Sequence, residues 1–582
     1  MLKSINSKLM LTAIIASFSL YGCGGSDDEP AQAVDLAAAG EILQYVPADS
    51  PYVMANLAPL PDDVMDKLEP SIDRVLAAYE TILQEVLVMA TEEAEQNGES
   101  AEESAKAAAV IGELSSLMSM DGLRGAGIDR ESRVVLYGNG LLPVLRFEVS
   151  DGALFDAALA RIEESADEKM DVATISGNPV RYIVAEEVKV LVSVLDTQVV
   201  ITLAPSEFDE DQLSTLLGFN EPADSIVNSG KLQGIADKYS FSDYFLGYFD
   251  LEAIAKTVTG DAQGLDADIF ALHGQDDELT DVCRAEIREM AAISPRMVMG
   301  YTNISTSRFD SQVIVEMRSD IAEGLSALSA PVPGLDGDMG GLLSFGMSLD
   351  VQSLRDFIET QIDAIEADPF ECEEFAEIQA GAAEARSALQ QPVMPMIYDF
   401  RGFVAVLEDI QGLDMAAKTP PTSIEGQFLF AMKDAPALVA MGTMFSPELA
   451  ALDLQPNGEV TLLDLPQAQM LGEAVYVAMN DDALSMSIGD GAETKLGDML
   501  EAEASDNGTV FNFSVDANRY YTFIGEAMTQ AEPDPENPMS PEFQAAMQDV
   551  MLAIADMYDR MTVDMRFTED GVVFDSVVML GE

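Results

Sequence analysis

The sequence is nearly devoid of histidine and has no tryptophan: His273 is the only imidazole among its 582 residues. A lone imidazole excludes metal sites built from several histidines and leaves a single base for a nucleophilic triad. No G-x-S-x-G, P-loop, dinucleotide-binding or H-E-x-x-H motif occurs in the chain. Because His273 stands in ALHGQDDELTD, which is typical of a glycine-containing turn, we interpret it as a surface histidine rather than a catalytic one.

Basic residues are also scarce, 30 against 103 acidic ones, which gives a net charge of −73. Such a chain cannot neutralise phosphates, so binding to nucleic acid is excluded and anionic lipid surfaces are unfavourable partners. Adaptation to a salty medium is the simplest explanation of the acidity, since salt screens the self-repulsion. A store of divalent cations is the alternative, but Asp336 and Asp338 in GLDGDMGG are the nearest approach to a calcium loop and supply too few ligands.

Long hydrophobic runs are absent except at the N-terminus. Leu9 to Leu20 form a mostly apolar run that follows Lys3 and Lys8, too short to span a bilayer but typical of an export signal. The run ends in Leu20-Tyr21-Gly22-Cys23, which resembles the lipobox of bacterial lipoproteins. An ordinary secretory signal with an incidental cysteine is the alternative interpretation. No later stretch is long and apolar enough for a transmembrane helix.

The lipobox resemblance implies that residues 1–22 are a signal peptide and that Cys23 becomes the first residue, carrying fatty acyl chains such as palmitate. Several chains anchor a protein stably, because each buried methylene contributes about 0.8 kcal/mol. Gly24 stands where an aspartate would retain a lipoprotein at the inner membrane. The resemblance therefore implies the outer membrane, on its periplasmic or surface side, with residues 23–39 as acylated cysteine and flexible tether.

Two further cysteines remain once Cys23 is assigned to the lipid. Cys283 and Cys372 lie 89 residues apart, and each occurs in a segment with a helical pattern. An even pair in an exported chain predicts a disulfide bond, with two buried free thiols as the alternative.

The chain also contains signs of an internal duplication. Phe309-Asp310-Ser311 and Phe574-Asp575-Ser576 each belong to a hairpin pattern that follows a long helical pattern. Upstream of both, the same order of alternating strands and amphipathic helices recurs, with loops of different length. We therefore predict an α+β protein of two tandem units, residues 40–329 and 342–582, each with an antiparallel sheet covered by helices. Residues 330–341, rich in proline and glycine, are the predicted linker, so the disulfide would join the two units.

A junction of strand, aspartate and helix recurs throughout both predicted units. It occurs at Asp151, Asp250, Asp350, Asp434 and Asp516. Aspartate at a helix N-cap accepts hydrogen bonds from the free N–H groups of the first turn, so we interpret these acids as caps rather than catalytic groups.

The leading functional hypothesis is a non-catalytic, lipid-anchored envelope protein that acts as a binding or scaffold module, with no cofactor and no metal. Its expected partners are the membrane, through the anchor, and an envelope protein or an apolar ligand. One alternative is a carrier of a lipid or other apolar ligand in a groove between the units. Another is a carboxylate-based hydrolase of an envelope polymer, which the abundance of acids leaves open. Residues 42–57, ILQYVPADSPYVMANL, are similar to the start of exported bacterial proteins of unknown function, a similarity that implies no activity.

Overall fold

The computed structural model describes residues 40–581, except 97–100, 168, 274–278, 413–420, 445–451, 453, 464–473, 490, 506 and 531–539. The signal segment, Cys23 and the tether therefore lie outside the described residues. The described chain is a mixture of helix and strand built around one large antiparallel sheet, which confirms the predicted α+β class.

The strands fall into two groups separated by residues 317–331. The first group is β1 (Tyr52–Asn56), β2 (Val134–Asn139), β3 (Leu142–Glu148), β4 (Asp171–Ile175), β5 (Asn178–Ala185), β6 (Val188–Val194), β7 (Gln198–Pro205), β8 (Leu246–Asp250), β9 (Arg296–Ile304) and β10 (Arg308–Glu316). The second group is β11 (Val332–Pro333), β12 (Leu343–Ser348), β13 (Phe400–Gln411), β14 (Ser423–Met432), β15 (Thr461–Leu463), β16 (Val475–Met479), β17 (Ala483–Ile488), β18 (Ala504–Ser505), β19 (Thr509–Asp516), β20 (Tyr558–Thr568) and β21 (Gly571–Leu580).

Nineteen of these strands form one continuous sheet, and β11 pairs separately with β18. The order across the sheet is β4-β5-β6-β7-β3-β2-β1-β8-β9-β10-β21-β20-β19-β12-β13-β14-β17-β16-β15, and every neighbouring pair is antiparallel. The two groups meet at β10 and β21, so the predicted pair of sheets is a single sheet. We call the strands on the β10 side the first half and those on the β21 side the second half.

The helices connect the strands and lie against the sheet. They are α1 (Gly40–Leu43), α2 (Asp62–Gln96), α3 (Ala101–Leu117), α4 (Met120–Gly125), α5 (Gly152–Ala166), α6 (Glu210–Leu216), α7 (Ile226–Ser229), α8 (Lys231–Tyr239), α9 (Leu251–Lys256), α10 (Gly264–His273), α11 (Asp281–Ile293), α12 (Ser319–Ser326), α13 (Val351–Ala367), α14 (Ala376–Leu389), α15 (Ala435–Gly442), α16 (Ala492–Glu501), α17 (Ala517–Gln530) and α18 (Pro541–Met557).

All five predicted aspartate caps are present. The side chains of Asp151, Asp250, Asp350 and Asp434 accept hydrogen bonds from first-turn N–H groups of α5, α9, α13 and α15. Asp516 accepts one from the backbone N–H of Arg519 in α17. These contacts satisfy donors that helix geometry leaves free, so the capping interpretation is confirmed.

One face of the sheet, which we call the inner face, carries most of the core. In the first half, Val53, Tyr248 and Val298 on this face pack with residues of α1, α6, α7, α8 and α10. In the second half, α16 covers Val404 and Leu429. On the opposite face, α2, α4 and α5 cover part of the first half and the adjoining end of β21, and α15 covers part of β16.

Two long helical patterns near residues 61–95 and 101–120, which carry the acidic run EEAEQNGESAEESAKAAA, predict an exposed helical hairpin with its turn at Asn97-Gly98. The first turns of α2 differ from this prediction. Val64, Leu68 and Ile72 are buried in the core, and α2 packs along α18 of the second half, where Arg74 Nη1 lies 2.6 Å from Asp556 Oδ2. Both predicted helices are present, but the first turns of α2 are buried because their apolar stripe packs against residues far away in the sequence. The predicted turn of this hairpin, at Asn97, lies outside the described residues.

The predicted linker is packed against the second half. Val332 and Leu335 are buried beside Leu429 and Leu496, and β11 pairs with β18. Its prolines and glycines therefore shape a fixed connection that follows the inner face of the sheet.

Candidate ligand-binding face

An uncovered apolar surface arises from the alternation of residues in the second half. In β12, Ser344, Gly346 and Ser348 are small and buried on the inner face, whereas Phe345 points to the opposite side. Successive side chains of a strand point to opposite faces, so the bulky residues of β12 all lie on the side away from α16. On this side α15 packs on Met479, toward the far edge of the sheet. We call this side of β12–β14, β17 and β19–β21 the open face.

Register places the large apolar residues of neighbouring strands side by side on the open face. Phe345 is opposite Phe513, Phe511 is opposite Met565, and Met565 is opposite Phe574. The residues that stay most exposed are Phe345 (41%), Met486 (40%), Phe511 (37%) and Phe574 (36%). Large apolar side chains that cluster at the surface mark binding sites more often than isolated ones do.

A groove of about 240 Å³ lies on this face. Leu343 and Phe345 of β12, Leu407 of β13, Phe428 of β14 and Met486 of β17 contribute to its lining. None of its described lining residues is charged. The groove lies within the second half and not between the halves, where the sequence hypothesis of a lipid carrier placed it.

Aromatic contacts hold the floor of the groove in place. The Phe345 ring meets Phe403 edge-on with centroids 5.7 Å apart, Phe403 stacks on Phe428 at 5.9 Å, and Phe428 stacks on Phe430 at 6.4 Å. Rings that support one another in this way lose little freedom when a ligand arrives. The open face as a whole spans seven strands, from β17 to β21, which at about 4.8 Å between neighbouring strands makes it roughly 29 Å wide.

The inner face of the second half carries a polar cluster that the sequence did not reveal. The Nδ2 of Asn512 donates to Asp564 Oδ1 at 2.6 Å and to the carbonyl of Gly337 at 2.7 Å. Burial, with a smaller effect from Asp575, raises the pKa of Asp564 to about 6. Asp575 is opposite Asp564 and binds Arg566.

This pair of carboxylates is the nearest approach to the acid pair of the hydrolase hypothesis. Gln312 Nε2 also donates to Asp575, at 2.6 Å. Both carboxylates are therefore engaged by neighbouring side chains in the sheet, which is the arrangement of a structural polar network. Strand pairing brings these residues together, and no local motif in the sequence could have indicated it.

The predicted cysteine pair is brought together. The Sγ atoms of Cys283 and Cys372 lie within disulfide-bonding distance of each other. Cys283 is in the first turn of α11, as its pattern predicted. Cys372 is not helical: it lies in the turn between α13 and α14, just before a short 3-10 helix, Glu373–Phe375.

Within the part of the chain that the structure describes, the other candidate residues add no site. Cys23 lies outside the described residues, and His273 ends α10, with its side chain also outside them. Asp338 caps Gly340 N and faces Arg560, with Oδ1 3.3 Å from Nη1. Among the described residues, the group formed by Cys283, Cys372 and Glu374 is the one whose ligand atoms lie close enough together to hold a metal ion.

Comparison with known proteins adds no family. No family model, curated protein or solved structure matches the chain.

No helix within the described residues combines the length and the apolar character that crossing a membrane requires.

Proposed function

We propose that this chain is a non-catalytic, lipid-anchored envelope protein that binds the hydrocarbon part of a lipid on its open face. The observation that carries the proposal is the set of exposed apolar side chains on one face of β17, β12, β19 and β21: Met486, Phe345, Phe511 and Phe574. A scaffold for an envelope protein remains the second form of the same binding role, with the same face as its contact surface.

The chemistry of the open face favours a hydrocarbon chain. Its strands lie in the interior of the sheet, so their backbone groups already pair with neighbours and cannot bind an added peptide strand. Its side chains offer apolar contact without charge. At about 0.8 kcal/mol for each methylene removed from water, an acyl chain with ten buried methylenes would gain roughly 8 kcal/mol before the cost of immobilisation.

The anchoring part of the proposal is supported by the N-terminal sequence. The lipobox-like Leu20-Tyr21-Gly22-Cys23 assigns acylation to Cys23, and Gly24 favours the outer membrane. The strongly negative chain would hold anionic headgroups away from its surface, so the bound lipid would have a neutral or cationic headgroup.

We also propose that the two halves arose by duplication. Across the sheet, the strands of the first half follow one another as β5-β6-β7-β3-β2-β1-β8-β9-β10, and those of the second half as β15-β16-β17-β14-β13-β12-β19-β20-β21. The two orders match strand for strand. At the seam, Ser311 pairs with Ser576, and the flanking pairs are reciprocal: Phe309 faces Val578 and Val313 faces Phe574. Such reciprocity is typical of a contact between equivalent elements related by a two-fold axis.

Native mass spectrometry of protein purified from its host tests the binding role, with co-purifying lipid as the expected result. Displacement of a fluorescent fatty acid then measures affinity in Phe345→Ser/Met486→Ser. We expect at least a tenfold loss, since two apolar walls of the groove are removed. Val172→Ser is the matched control, because Val172 is even more exposed (64%) but lies on the edge strand β4. Equal affinity of both variants would overturn the proposal.

A further inference from the structure

The cysteine pair has a third partner, the carboxylate of Glu374. Its Oε2 atom lies 3.2 Å from Cys283 Sγ and 2.7 Å from Cys372 Sγ. In a disulfide neither sulfur carries a proton, so neither can donate to this oxygen. The carboxylate gains a favourable partner at this point only when a thiol proton or a cation lies between it and the sulfur atoms.

The three groups are held in place by contacts that do not depend on a sulfur–sulfur bond. Glu286, one turn after Cys283 on α11, accepts hydrogen bonds from the backbone N–H groups of Glu371 at 2.7 Å and Cys372 at 3.1 Å. Thr280 Oγ1 accepts from the N–H of Cys283 at 3.1 Å. The turn that carries Cys372 would therefore stay beside α11 after reduction.

We propose that, once reduced, Cys283, Cys372 and Glu374 form a binding site for Zn²⁺. Their ligand atoms lie within 4.8 Å of one another. Two thiolates and a carboxylate, at about 2.3 and 2.0 Å from the metal, are a donor set that zinc accepts, with water in the fourth position. The two cysteines are buried and Glu374 is exposed, so a cation enters from the solvent side past the carboxylate.

The chemistry requires a reductant before the metal. A dithiol transfers two electrons and two protons to the Cys283–Cys372 bond, which yields two thiols while the dithiol closes to its own disulfide. Zn²⁺ then displaces both thiol protons and binds the thiolates, so two protons are released for each ion. Oxidation and metal binding are therefore mutually exclusive states of the same site. This assignment is independent of the proposed lipid function.

The test uses the purified full chain, reduced with a water-soluble phosphine, which is converted to its oxide with oxygen taken from water. Titration with Zn²⁺ against a chromophoric chelator should give one tight equivalent, and Co²⁺ should give a thiolate-to-metal charge-transfer band. The unreduced chain should show neither. Absence of the band, or equal zinc binding before and after reduction, would overturn the proposal.

Glu374→Gln distinguishes the three-ligand site from an adventitious pair of thiols. The variant keeps both cysteines, and we expect zinc affinity to fall at least tenfold because one ligand is lost. Glu373→Gln is the control, since Glu373 is also exposed and is adjacent but is not part of the group. If the two variants bind zinc equally, Glu374 is not a ligand and the assignment is wrong.

Discussion

A buried carboxyl group and a buried ion-pair network determine how stability depends on pH at the scale of single residues. Asp564 has a raised pKa because it is buried on the inner face and lies across from Asp575, although the hydrogen bond from Asn512 acts in the opposite direction. Glu316 has a lowered pKa, about 2, despite its burial, because Arg296, Tyr239 and Lys238 all bind its carboxylate. The two groups therefore predict opposite responses to acid.

Replacing Asp564 with asparagine should stabilise the protein at neutral pH. The folded state favours the protonated form, so the contribution of Asp564 is full below its unfolded pKa near 4 and is lost as pH rises through about 6. Because Asp564 is partly in contact with solvent, the free energy that corresponds to its pKa shift is reduced by screening. We expect Asp564→Asn to raise the free energy of unfolding by about 1 kcal/mol at pH 7.5 and to leave it unchanged at pH 3.5. Urea titrations at both pH values measure the difference, and a destabilised variant at pH 7.5 would contradict the prediction.

Replacing Glu316 with glutamine should have the reverse pH profile. The stability that Glu316 provides is present above its unfolded pKa, near 4.5, and is lost as pH falls through about 2. Glu316→Gln should lower the free energy of unfolding by roughly 2 kcal/mol at pH 7, because Arg296 keeps a half-buried charge without its partner. The deficit should shrink steadily toward pH 2, as urea titrations on wild type and variant would show. A deficit that is constant with pH would contradict the assigned cause.

The junction of strand and helix is the element that the sequence predicts best, because it depends on neighbours a few residues apart. Asp434 illustrates this: its side chain accepts from Ala437 N at 3.0 Å, and the helix it caps begins at the next residue. The packing of α2 on α18 was not predictable, since the residues that meet there are far apart in the sequence. The same holds for the open face: alternation indicates that one side of β12 is covered but not which side lacks a helix.

Removal of one cap should have a small, local cost. Asp434→Ala should lower the free energy of unfolding by about 1 kcal/mol, because first-turn donors of α15 lose their acceptor. Asp434→Asn is the control and should retain most of the stability, since its amide oxygen can accept the same bond. Thermal unfolding of both variants provides the measurement, and equal losses would show that charge rather than capping matters.

The disulfide joins the two halves at the scale of the whole molecule. It connects α11 of the first half to the turn after α13 of the second. The packing of α2 on α18 also joins the halves, but without a covalent bond, and it includes polar pairs such as Arg74 and Asp556. The pairing was predictable by counting cysteines, but the geometry of a single shared sheet was not, because strand order does not follow chain order.

Loss of the disulfide should be the most costly single covalent change. For a loop of 89 residues, chain entropy predicts that Cys283→Ser/Cys372→Ser lowers the free energy of unfolding by roughly 4 to 5 kcal/mol. Denaturant unfolding of the double variant against wild type measures the loss. Peptide mapping without reductant should identify the linked peptides in wild type, and free thiols at both positions would contradict the assignment.

The net charge of −73 predicts a stability that depends on salt. Because screening shortens the Debye length from about 30 Å at 0.01 M to about 3 Å at 1 M, the melting temperature should rise over this range. Thermal unfolding in sodium chloride measures this rise, and potassium chloride at matched concentration controls for the choice of cation. A melting temperature that falls as either salt is added would contradict self-repulsion as the cause.

The seam between β10 and β21 has a consequence for biogenesis. Strand β10 is synthesised long before its neighbour β21, so its outer backbone groups stay unpaired while the second half is still being made. During this interval the unpaired edge of β10, nine residues from Arg308 to Glu316, can pair with a strand of another chain. The outer edge of β10 must therefore be shielded from other strands until the final hairpin has been synthesised.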